Sequence, residues 1–178
     1  MRRIRAFALS AAAVAVAAAL SSAAAPTTAV ALPARHGCSG GALISGNVAR
    51  PGCASAASLA KLPQRTITVT FSSDAGPQTH TFSGPLLIDV LNAAKPRFPS
   101  TVKNVQLRYA VLATATDDYQ AAVAWGELDP KFEGKQVLLA TTQDGKALAK
   151  PRLAVPGDKA GGRYVSDVVT LRLSRPFQ

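Results

Sequence analysis

The residues best suited to chemistry lie between Leu153 and Leu173, in LAVPGDKAGGRYVSDVVTLRL. Pro156-Gly157 stops a short apolar run, and Gly161-Gly162 is a pair able to take backbone angles that residues with a Cβ avoid. Such a loop can aim backbone N–H groups at an anion, and Arg163 adds a rigid fork of donors suited to phosphate or carboxylate. The same residues suit a plain connection between two strands, and the sequence leaves both readings open. Asp117, Asp118 and Tyr119 form a second candidate, an acid–base cluster, although paired aspartates between strands are also ordinary turn chemistry. Tyr119 and Tyr164 can either close a pocket beside Arg163 or simply pack. His80 falls on an expected hairpin strand, where a surface histidine is the simpler reading. No nucleophile–base pair, phosphate loop or metal-ligand spacing is present.

Cys38 and Cys53 are the two cysteines, with fourteen residues between them. An even pair in an exported chain reads as one disulfide. Closing a loop of that size stabilises by about 3 kcal/mol on the chain-entropy account. A metal site drawing on His36, Cys38, Cys53 and His80 is the competing reading. The spacing lacks the two close ligand pairs of a structural zinc site, so no metal is expected.

Export is read from the first residues. Arg2, Arg3 and Arg5 precede an almost unbroken apolar run from Ala6 to Leu20, and Ala29-Val30-Ala31 offers cleavage before Leu32. Arg5 stands where a twin-arginine signal would show Phe, which favours the general secretion route of a bacterial type of protein. The run is short for a membrane anchor and lacks a stop-transfer flank. The mature chain is therefore expected in the periplasm or outside the cell, with no membrane span once the signal is removed. Losing three arginines takes the formal charge from +10 to +7. The remaining basic residues are scattered without runs or interleaved aromatics, which argues against a nucleic-acid partner and for small anions or anionic surfaces.

The elements that must position these residues read as strands around one helix. Arg65 to Phe71 alternates Ile67, Val69 and Phe71 with threonines, Ser72 to Pro77 turns, and Gln78 to Phe82 returns. Ser83 or Gly84 then suits a cap and Pro85 a first helical position. The helix presents Leu86, Leu87, Val90, Leu91 and Ala94 until Pro96 stops it. Val105 to Thr114 reads as a strand, and Thr116 to Ala124 as another turning at Asp117-Asp118. Trp125 to Asp129 reads as one helical turn, and Gln136 to Thr141 as a strand ending at Asp144-Gly145. From Val165 the alternation resumes through Val169, Leu171 and Leu173. The whole is a β-rich α+β single domain with one main helix, over residues 62–178. Residues 1–31 are the leader, and 32–61 an N-terminal segment carrying the disulfide.

Four pieces in order then resemble a known family: FSGPLLIDVLNAA, ATATDDYQAAVAWGELDP, QVLLATTQDGKAL and PRLAVPGDKAGGRYVSDVVTLRL. Together they are similar to the small domain of the molybdopterin-dependent oxidoreductases related to sulfite oxidase, over roughly Leu62 to Leu173. The resemblance implies that family's β-rich molybdopterin-binding fold. It implies a cofactor-binding site at Arg163, Gly161 and Gly162, with Tyr119 beside it, and a periplasmic redox or accessory protein as partner. Two departures bear on activity. The family's molybdenum-ligating cysteine lies upstream of the segment matched by FSGPLLIDVL, where FSSDAGPQTHT has none; Ser72, Ser73 and His80 are poor substitutes for a soft thiolate. The phosphate-holding pattern Gly-x-Arg-Ser-Val-Lys is met at Gly161, Arg163 and Val165, but Tyr164 and Ser166 replace its Ser and Lys. The expectation is an exported domain that has lost metal chemistry and works as a binding or accessory module without a cofactor. The alternative is an active periplasmic oxidoreductase that binds molybdopterin and works with a redox partner.

Overall fold

Threonines alternating with apolar residues build the longest strand pair of the molecule. In the computed structural model, which describes residues 38–99 and 101–176, β3 (Gln64–Ser73) and β4 (Gly76–Pro85) run antiparallel. Gly76 closes their turn at a φ of 92°, in the left-handed region. On the exposed face, hydroxyls pair across the strands, Thr66 with Ser83 at 2.8 Å, Thr68 with Thr81 at 2.9 Å and Thr70 with Thr79 at 2.9 Å. On the other face Val69, Phe71 and Phe82 are buried, as the period of two requires. With β7 (Leu138–Gln143) and β8 (Lys146–Ala154), these strands form a four-stranded sheet in the order β3-β4-β7-β8.

A five-stranded sheet follows the order β2-β1-β9-β5-β6, from β1 (Ala42–Gly46), β2 (Gly52–Ala54), β5 (Ala110–Ala115), β6 (Gln120–Ala124) and β9 (Val168–Ser174). Its pairs are antiparallel except β1 with β9. The main core joins this sheet to the helix α2 (Leu87–Ala93) and to Leu139 and Leu153 of the smaller sheet. The opposite face of the smaller sheet carries a second cluster of Val69, Phe71, Phe82, Leu138, Ala140, Ala154 and Tyr164. Leu138 and Ala140 fall on one side and Leu139 on the other, again by strand alternation.

Several expectations need correction. The fold does not begin near residue 62. β1 and β2 precede it, and Ala42 and Ile44 lie in the core because β1 pairs with β9. Cys38 and Cys53 do form a disulfide, with Cα atoms 5.7 Å apart, which pins β2 to the chain entering β1. The leader and His36 lie outside the described residues. The main helix starts at Leu87, not at Pro85, because Ser83, Gly84 and Pro85 finish β4. No side chain caps it; the Val137 carbonyl accepts from the Leu87 N–H at 2.8 Å instead. Its end comes as expected before Pro96, where Lys95 turns left-handed at φ 55°. Val105–Arg108 is a 3₁₀ turn rather than strand. The turns at Asp117-Asp118 and Asp144-Gly145 and the helical turn α3 (Trp125–Leu128) are present. Among the described residues no helix is long and apolar enough to cross a membrane.

Candidate functional site

The loop after β8 is held in place from two sides. The Ser72 N–H donates to the Lys159 carbonyl at 2.8 Å, and the Leu153 N–H to Val165 at 2.9 Å. Tyr164 stacks on Phe71 with ring centroids 4.1 Å apart. Gly157 supplies the left-handed turn, at φ 88°. Gly161 and Gly162 open a short 3₁₀ turn (Gly161–Arg163) and do not take positive φ. Gly161 is small for a different reason: a Cβ there would stand 3.1 Å from the Phe71 ring.

Arg163 projects from this turn into carboxylates of its own chain. Its Nε donates to Asp158 Oδ2 at 2.7 Å and its Nη2 to Asp158 Oδ1 at 2.6 Å, a two-point clasp. Its Nη1 reaches both oxygens of Glu127 at 3.0 Å. Glu127, on α3, also accepts from the Ala124 N–H at 3.1 Å and from Lys135 Nζ at 3.0 Å. Lys135 pairs in turn with Glu133 at 3.1 Å. Two cations therefore face three carboxylates. Hydrogen bonds to Asp158 and Glu127, outweighing burial, push the Arg163 guanidinium above its ordinary range. Burial alone would raise Glu127, yet hydrogen bonds from Lys135, Ala124 and Arg163 hold it below the usual carboxylate range.

Tyr119 does come to the loop, its hydroxyl donating to the Gly162 carbonyl at 2.6 Å. The structure thus gathers Arg163, Gly161, Gly162 and Tyr119 in one place. The Tyr119 hydroxyl is spent on the Gly162 carbonyl and the Arg163 guanidinium on Asp158 and Glu127. Asp117 accepts from the Tyr119 N–H at 3.1 Å and Asp118 has a φ of 65°, which is turn geometry. Trp125 is core, edge-on to Phe98 at 4.8 Å, with its N–H on Asp129 at 3.1 Å.

A second polar group on the smaller sheet joins His80 to Arg152 and Gln143, two residues that residue type alone does not single out. Arg152 donates to Gln143 at 2.9 Å, and its guanidinium carbon lies 5.5 Å from the Phe82 ring centroid. His80 Nδ1 lies 2.7 Å from Asp144 and 3.1 Å from Gln143 Nε2. Burial lowers Arg152 and raises the Tyr164 phenol. Among the described residues, Arg152 Nε and the Tyr164 hydroxyl are buried without a hydrogen-bond partner. Only register could have revealed this group: Ala140 opposite Arg152 turns the arginine to the face that carries Phe82.

No family model matches this sequence, and no curated protein does. Among solved structures the fold is similar to the sulfane dehydrogenase SoxCD from Paracoccus pantotrophus, with a TM-score of 0.61 and 18% identity. The similarity covers 76% of this chain and 38% of that one. Likeness at this identity is a likeness of fold. It bears out the β-rich α+β architecture with one main helix, of the sulfite-oxidase type, expected from the sequence.

Proposed function

We propose that this chain is an exported, non-catalytic binding or accessory module built on the fold of a molybdopterin-dependent oxidoreductase domain. The observation that carries the reading is the state of the groups a cofactor would need. A molybdenum centre of that family takes a soft thiolate. Both cysteine sulfurs of this chain are joined in the Cys38–Cys53 disulfide. Cys53 lies on β2, at the opposite edge of the larger sheet from β6, beside which Tyr119 stands. Four strand spacings separate those edges, on the order of 19 Å. The cation left to meet a pterin phosphate, Arg163, is already clasped by Asp158 and Glu127. A phosphate arriving there would have to displace two carboxylates or sit against them. These residues do not fit the cofactor. The reading places the mature chain in the periplasm or outside the cell, where the disulfide persists, and its partner would be a redox or accessory protein.

The fold likeness to a sulfane dehydrogenase favours a second reading, an active molybdopterin-binding oxidoreductase working with a redox partner. Pterin analysis separates the two. The mature protein, exported from a host that makes the cofactor, should release no pterin fluorescence on denaturation. A stoichiometric pterin signal would establish the second reading and remove the first.

A further inference from the structure

Away from the Arg163 network, a cavity of about 180 Å³ opens between β1, β2, α1 (Ala56–Leu59) and α2. Ile44, Leu59, Leu62 and Val90 give it apolar walls, while Arg50 and Ser58 supply its polar side chains. Small residues, Ala54 and Ala94 among them, line it where larger side chains would occupy the space. Apolar cavities of roughly 150 Å³ take up a ligand the size of benzene.

The exposed lining residues, Arg50, Ser58 and Ala93 among them, mark where the cavity meets solvent. Arg50 is its one charged lining residue among the described residues. Its backbone is fixed, since its N–H donates to the Ala94 carbonyl at 2.9 Å and the neighbouring Ala49 N–H to Lys95 at 2.7 Å. No carboxylate among the described residues pairs with its guanidinium. This differs sharply from Arg163. The Ser58 hydroxyl is engaged on both sides, donating to the Ser55 carbonyl at 2.9 Å and accepting from the Ser55 hydroxyl at 3.3 Å, which leaves Arg50 to meet an anion. Cys53 forms part of the wall, so the disulfide holds β2 against the cavity.

We propose that this cavity binds a small apolar carboxylate, its hydrocarbon tail among Ile44, Leu59 and Val90 and its carboxylate on Arg50. A six-carbon acid matches the volume, and the charge selects an anion over a neutral alcohol of the same shape.

Hexanoate and hexan-1-ol, titrated into the isotopically labelled mature chain and followed by amide chemical shifts, test this. Hexanoate should give saturable shifts at Ile44, Leu59 and Val90 and bind more tightly than hexan-1-ol. Arg50→Gln should weaken hexanoate about fivefold, the size of one partly exposed charge pair, and leave hexan-1-ol unchanged. Ala93→Leu, at an exposed helix position where leucine is well tolerated, should weaken both probes by filling the mouth. Absence of saturable shifts with either probe would overturn the proposal. So would shifts centred elsewhere, or equal affinity for acid and alcohol that Arg50→Gln does not alter.

Discussion

Arg163 shows how a side chain with the right chemistry for an anion is occupied by its own fold. Its charge is met twice, by Asp158 five residues earlier and by Glu127 from α3. Asp158→Asn should therefore free donors, and inorganic phosphate should then bind measurably more tightly than to the unaltered protein, as read by phosphorus NMR line broadening. Equal phosphate affinity in both would mean that Asp158 does not control the guanidinium. Glu127→Gln tests the same network through stability. The pair is partly exposed, so the loss should be no more than about 1 kcal/mol at neutral pH in urea unfolding. The pH dependence has a definite sign. Folding lowers Glu127 below its ordinary 4.5, so its stabilisation is complete above that value and disappears as pH falls through the folded pKa. The unaltered protein should lose stability on that acid side, and the Gln variant should lose less there. At this scale the sequence was partly legible. Arg163, Gly161, Gly162 and Tyr119 could be singled out by residue type, and they do meet. Their partners could not, because Glu127 reaches Arg163 across 36 residues that only the fold brings together.

Strands with strict alternation were the easiest elements to read, and β3–β4 is the clearest case. Short strands stabilised by distant partners were not. ALISG of β1 carries little periodicity of its own and becomes a strand by pairing with Leu171 and its neighbours, far along the chain. The start of α2 was misplaced for a related reason. Ser83, Gly84 and Pro85 suit a helix entrance locally, but β4 uses them, and Gly84 lies against β7 so closely that a Cβ would be 2.5 Å from the Leu139 carbonyl oxygen. Gly84→Ala should therefore destabilise by roughly 1–3 kcal/mol in urea unfolding, through backbone displacement. A neutral result would show that β4 and β7 can part without cost. The disulfide belongs to this scale too. Replacing Cys38 and Cys53 together with alanine should lower the unfolding free energy by about 2–4 kcal/mol, since it releases the link between β2 and the chain entering β1.

For the molecule as a whole, the two sheets and shared core account for a likeness of fold to the sulfane dehydrogenase at little sequence identity. Burial is spread over many interchangeable Ala, Val and Leu positions, which tolerate exchange when volume is kept. Chemistry depends on fewer atoms. On the proposed reading, a thiol absent from the interval before FSGPLLIDVL and a guanidinium already paired separate architecture from activity. That separation is the centre of the account, and molybdenum content tests it most directly. The mature protein, exported from a host with an active molybdenum-cofactor supply, purified without reductant and analysed by elemental mass spectrometry, should contain no molybdenum above the level of a protein that binds none. Molybdenum approaching one atom per chain would contradict it.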